Sequence, residues 1–192
     1  MMDNQMNEEI IIAGFGGQGV LSMGMTLAYS GMVENKEVVW MPSYGPEMRG
    51  GTANCTVILS DKKVSSPIIN QFDTAIILNQ PSMDKFESAV KPGGVLMYET
   101  NNIINQPTRT DISIFSIPAN MESVKLQNKK IMNMVMLGAF LSARPVIPLK
   151  SIIEALKKVL PERHHHLIPL NEQALIRGME LHKVAANSEG RS

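Results

Sequence analysis

Glu8-Glu9-Ile10-Ile11-Ile12-Ala13-Gly14-Phe15-Gly16-Gly17-Gln18-Gly19-Val20-Leu21 reads as a strand, a tight turn and the start of a helix. The unbroken run Ile10-Ile11-Ile12 predicts a strand over Glu8–Ala13 that is buried on both faces. Gly14–Gly19 satisfies G-x-G-x-x-G in the position such a turn needs, with a strand before it and a helix after it. The helix is expected from Gln18 to Met32, with Leu21, Met25, Ala28 and Met32 along one side. Glycines allow a tight turn and close approach of a ligand, and a helix N-terminus favours an anion. A nicotinamide dinucleotide also needs an acid at the end of the second strand. That strand, Glu37–Met41, runs into Pro42 and Ser43 without one, and Glu34 and Glu37 fall too early. The turn therefore stays open between three readings: a structural turn, a site for another anionic cofactor, and a contact with a partner subunit.

Outward from this unit, strands and helices alternate. Thr52–Ser60 alternates as a strand, Asp73–Leu78 and Val95–Tyr98 are short apolar strands, and Asp111–Ile117 ends at Pro118. Pro81–Val90 is expected to be a helix closed by Pro92-Gly93-Gly94. Asn128–Ser142 is apolar nearly all round, which suits a deeply buried or interfacial helix. Pro148–Leu160 is amphipathic, and Asn171 is placed to cap a last helix ending near Ala186. The order predicts one α/β domain over residues 1–192: a three-layer α/β/α sandwich with a largely parallel, Rossmann-like sheet and a helical C-terminal third. Residues 187–192 read as a frayed tail.

Composition narrows the function. With 192 residues, 44% apolar and 19% charged, the chain can bury a core. Lys and Arg total 18, as do Asp and Glu, so the basic excess of a nucleic-acid binder is missing. No apolar run reaches the ~20 residues that span a bilayer, so neither a nucleic-acid nor a membrane partner is expected. The one cysteine, Cys55, can form neither an internal disulfide nor a four-thiolate cluster, which fits a reducing cytoplasm. Cys55 reads as inert packing on a buried strand, and Asn133 as a buried amide needing a partner. His164-His165-His166 is not expected to hold a metal, because consecutive side chains diverge. The fifteen methionines suit a core or an adaptable subunit interface.

The second unusual stretch is Pro42-Ser43-Tyr44-Gly45-Pro46-Glu47-Met48-Arg49-Gly50-Gly51-Thr52-Ala53-Asn54. Its two prolines and three glycines before Thr52 predict an irregular loop over Pro42–Gly51. A loop after a strand of an open α/β sheet is where ligands gather, and Arg49 can fork onto a phosphate or carboxylate. A Glu47–Arg49 surface pair with Tyr44 stacked nearby is the plainer reading.

Together the two motifs resemble the gamma subunit of 2-oxoacid:ferredoxin oxidoreductases. The similarity continues through Ser65-Ser66-Pro67, Asn133–Gly138 and Asn171–Gly178. The form Glu47-Met48-Arg49-Gly50-Gly51-Thr52 is most similar to the 2-oxoglutarate branch, with the branched-chain and pyruvate branches as alternatives. The resemblance implies a structural, non-catalytic subunit with no activity of its own. It implies thiamine diphosphate, magnesium and iron–sulfur clusters in alpha, beta or delta chains, ferredoxin as partner of the complex, and coenzyme A accommodated with this chain's help. The residues it points to are Gly14, Gly16, Gly17, Gln18, Gly19, Ser43, Tyr44, Glu47, Arg49, Gly50, Gly51 and Thr52, as loops that hold coenzyme A or close the active site. No catalytic or metal-binding residue is expected. A stand-alone nucleotide-binding oxidoreductase and a ligand-free assembly protein are the alternatives of other classes, and self-association of the isolated chain into a homodimer stays open.

Overall fold

The computed structural model describes residues 5–44 and 52–189. Six strands form one sheet: β1 (Asn7–Phe15), β2 (Glu37–Tyr44), β3 (Thr52–Ser60), β4 (Phe72–Ile77), β5 (Val90–Glu99) and β6 (Ser113–Ile117), in the order β2-β3-β1-β4-β5-β6. β1, β4, β5 and β6 pair in parallel, whereas β3 runs antiparallel to both β1 and β2. The sheet is thus largely parallel, as expected, with one reversed strand. The helices are α1 (Val20–Val33), α2 (Gln80–Phe86), α3 (Ala119–Lys125), α4 (Met132–Ala143), α5 (Leu149–Val159) and α6 (Ile168–Glu189).

The isoleucine run splits as a two-sided strand must. Ile10 and Ile12 join one core with α1, α4, α5 and α6, and Ile11 and Ala13 join the other with Met83 and Phe86 of α2. The three layers are therefore unequal, because among the described α-helices only the short α2 covers the second face, helped by Ile69 and Ile103 of the strand connections. α4 is buried from Met132 to Leu141, as its all-round apolarity requires. It crosses α6 through two glycines. A Cβ on Gly138 would collide with the carbonyl oxygen of Leu175, and one on Gly178 with that of Val135. The two C-terminal segments that carried the resemblance are this helix pair.

Several expectations are corrected. Pro42, Ser43 and Tyr44 are not irregular; they extend β2, pairing with Cys55, Asn54 and Ala53. Proline is tolerated there because β2 is an edge strand with one side free of ladder bonds. Pro92-Gly93-Gly94 do not close a helix; α2 stops at Phe86, and the three residues form an irregular start to β5, whose register against β4 shifts between Phe72 and Thr74. α1 begins at Val20, two residues after Gln18. α3 answers to no expected element. α6 starts at Ile168, so Asn171 lies inside it, donating to the Leu167 carbonyl at 2.7 Å instead of capping. α6 also runs to Glu189, into the stretch read as a frayed tail from residue 187; residues 190–192 lie outside the described residues.

Candidate functional site

The glycine turn and the described ends of the second stretch, Pro42–Tyr44 and Thr52–Asn54, come to the C-terminal edge of the parallel strands. The glycine turn follows β1, and the hairpin between β2 and β3 begins beside it: Phe15 pairs with Thr52, and Gly14 with Ala53. A hollow of about 230 Å³ lies between them, lined by Phe15, Gly16, Gly17, the first turn of α1 (Val20–Ser22) and Tyr44. Tyr44 stands 70% exposed at its rim. Ser43 and Thr52 are exposed on the adjoining strand ends. Glu47, Arg49, Gly50 and Gly51 lie outside the described residues.

The turn's backbone explains its glycines. Gly17 (φ +93°) and Gly19 (φ +79°) occupy the left-handed region that disfavours side chains. Gly14 is needed for space, since a Cβ there would meet Gln18 Oε1 at 2.6 Å and Leu78 Cβ at 2.9 Å. Gly19 is the N-cap of α1 and makes no side-chain cap bond. The first N–H groups of α1 therefore face the hollow without intrahelical acceptors, carrying the positive end of the helix dipole.

Gln18 has a role that its place in the motif did not disclose. It turns inward: its Oε1 accepts the Phe15 N–H at 2.6 Å, and its Nε2 donates to the Leu78 carbonyl at 3.2 Å. Asn102 donates to the same carbonyl at 3.0 Å. Both amides thus tie the turn to the end of β4 through the Leu78 carbonyl. Gln18 braces the turn from within. Behind the turn, Asn133 at the start of α4 approaches the Gly19 carbonyl, with Nδ2 3.4 Å from the oxygen. This answers the question that a nearly lone amide in an apolar helix posed.

No charged side chain lines the hollow among the described residues. What the hollow offers is the backbone of the turn, the first turn of α1 and the Tyr44 ring, surroundings that suit a small anionic group. The reversed β3 also explains the missing acid: it separates β1 from β2, so the end of β2 is not the immediate neighbour of the turn. Cys55 is fully buried beneath α1, and burial pushes its thiol up to about 12, leaving it protonated and unreactive. Glu99, buried at the end of β5, accepts the Asn120 N–H at 3.1 Å; burial raises its carboxyl above the usual range. Among the described residues no group of three or more His, Cys, Asp and Glu is placed to hold a metal, and His164-His165-His166 make none. No described helix is long and apolar enough to cross a membrane.

A family model described as pyruvate ferredoxin/flavodoxin oxidoreductase matches residues 9–181. The chain belongs to that family. Its relatives bear out the resemblance to gamma subunits. The chain is 40% identical over 131 residues to the ketoisovalerate oxidoreductase subunit VorA of Methanothermobacter thermautotrophicus. That match takes in 68% of this chain and 27% of VorA, so the chain spans about a quarter of that relative's length. It is 30% identical over 161 residues to the 2-oxoglutarate synthase subunit KorC of Methanocaldococcus jannaschii, covering 82% of this chain and 86% of KorC. The gamma subunit of the keto/oxoacid ferredoxin oxidoreductase from Geobacter sulfurreducens has the same fold, with a TM-score of 0.77 and 29% identity over 93% of this chain and 99% of that one. Membership of this family favours the subunit reading over a stand-alone nucleotide-dependent oxidoreductase.

Proposed function

We propose that the chain is the gamma subunit of a cytoplasmic 2-oxoacid:ferredoxin oxidoreductase, with 2-oxoglutarate as its oxoacid. The complex would convert 2-oxoglutarate, coenzyme A and oxidised ferredoxin to succinyl-CoA, CO2 and reduced ferredoxin. The observation that carries this reading is the hollow shared by the two family motifs, with the α1 N-terminus on one side and Tyr44 on the other. It supports a phosphoanion of coenzyme A, or another small anion, held by backbone N–H groups, with Arg49 as the cation of the adjoining loop. Alpha and beta chains, with a delta chain where one is present, would hold the thiamine diphosphate, magnesium and clusters that supply carbanion and electron-transfer chemistry. The present residues would shape and close the site and perform no bond-breaking step.

A second reading is a branched-chain 2-oxoacid enzyme, favoured by the 40% identity to VorA. Steady-state assays on the assembled complex decide between them. Turnover with 2-oxoglutarate should exceed that with 2-oxoisovalerate and pyruvate, and a preference for 2-oxoisovalerate would install the second reading. In the same assay Tyr44→Ala and Arg49→Ala should leave assembly intact and raise the KM for coenzyme A or the oxoacid roughly tenfold, about 1.4 kcal/mol of lost binding. Unchanged constants in both variants would remove the hollow from the mechanism.

A further inference from the structure

The stripe Leu21, Met25, Ala28, Met32 does share one side of α1, yet only its Ala28 is buried, and the side with Val20, Met23 and Leu27 turns to the core and the sheet. Gly24 and Gly31 meet it. Gly24 sits against Cys55 of β3 and Trp40 of β2, and Gly31 against Leu59 of β3 and Val38 of β2. α1 therefore lies over the seam between β2 and β3, and the stripe flanks it on the side of the open edge. There Met25, Ala28, Tyr29 and Met32 form a groove of about 390 Å³ with Val38 and Trp40 of β2. Met32 is 60% exposed. Among the described residues, the outer edge of β2 has no partner strand.

We propose that this edge and groove form a two-fold interface between two copies of the chain, with β2 pairing antiparallel to its counterpart. Unused ladder groups on an edge strand and an apolar groove beside it are two separate liabilities. One symmetry operation covers both. A two-fold axis perpendicular to the sheet keeps both α1 helices on the same face. Strands about 4.8 Å apart then place the two α1 axes about 10 Å apart, which is the contact distance of packed helices. Met25, Tyr29 and Met32 would fill the gap from both sides.

The pairable stretch is Glu37–Met41, because Pro42 has no N–H to offer. An axis at Val39 sets Val38 opposite Trp40 of the second copy, an aromatic–β-branched pair, and Glu37 opposite Met41. No like charges oppose each other. Lys36, at the end of the groove, already has its charge matched by Asp61 at 2.9 Å.

The test is sedimentation of the full chain between about 1 and 100 μM. The expected result is a dimer, with the emission of Trp40, the sole tryptophan, moving to the blue as association proceeds. Met32→Glu, at a position exposed enough to leave the fold intact by circular dichroism, should raise the dissociation constant about tenfold or more. Val39→Cys should give a disulfide-linked dimer under mild oxidation, since opposed Cα atoms lie about 4.5–5.5 Å apart. Native Cys55 is too buried to compete. A chain that stays monomeric at about 100 μM overturns the proposal, as does a dimer indifferent to Met32→Glu that Val39→Cys fails to cross-link. A Trp40 shift seen only when other subunits are added also overturns it, and assigns the groove to them. Each outcome leaves the gamma-subunit reading standing, because that reading does not use this edge.

Discussion

At the scale of single residues, the glycine turn separates two kinds of constraint. A Cβ on Gly17 meets nothing within 4 Å, so only its left-handed backbone resists substitution. A Cβ on Gly19 meets the same backbone penalty and also collides with the Asn133 side chain. Gly17→Ala should therefore cost about 1–2 kcal/mol. Gly19→Ala should cost about 1–3 kcal/mol beyond that, as forced overpacking does. Denaturant melts of the two variants read the difference, and equal losses would mean that Asn133 yields freely. The sequence showed that this turn needs glycines, since strand, G-x-G-x-x-G and helix follow in order. It could not show that Gln18 braces the turn from within. An amide in a loop looks the same whether it faces a ligand or a carbonyl 60 positions on, and the Leu78 partner is a tertiary fact.

At the scale of elements, what was legible followed from local periodicity, and what was hidden followed from pairing. Ile10–Ile12 announced a central strand because burial on both faces favours an unbroken apolar run. The reversal of β3 left no trace, since Ala53, Cys55, Val57 and Leu59 alternate identically in either direction. Pro42 and the glycines after it hid the last residues of β2, because an edge strand accepts proline and the composition alone reads as loop. The apolar stripe of α1 was read correctly as a stripe. The buried face instead carries Val20, Met23 and Leu27, and the close approach to β2 and β3 is made at Gly24 and Gly31, which give no hydrophobic signal. Glycine acts again where α4 crosses α6. Gly178→Ala should force the helices apart and cost about 1–3 kcal/mol. The same substitution at Gly93, where nothing lies within 4 Å, should cost only its backbone strain. Thermal melts of the pair test this, and equal losses would show that the crossing is loose.

At the scale of the whole molecule, the unequal layers put five of the six described α-helices with one core and make that core the main source of stability. His182 lies within it, 8% exposed, its ring edge-on to Phe115 at 4.5 Å and its Nδ1 3.0 Å from Ser142 Oγ. Burial lowers its affinity for a proton. The unfolded chain binds that proton below about pH 6.5, whereas the folded chain resists it. Its contribution is thus complete above that pH and is lost as pH falls toward the depressed folded value. Denaturation midpoints measured from pH 7.5 to 5 should decline, and His182→Gln should flatten the slope. An unchanged slope in the variant would assign the decline elsewhere.

The α4–α6 crossing also bears on how the chain is made. α4 leaves the ribosome before α6 does, and until Gly138 meets Leu175 and Gly178 meets Val135, a helix apolar on every side waits without its cover. Folding of the larger core is therefore held back until the last helix arrives, and a nascent chain stalled after α5 would be a natural client for chaperones.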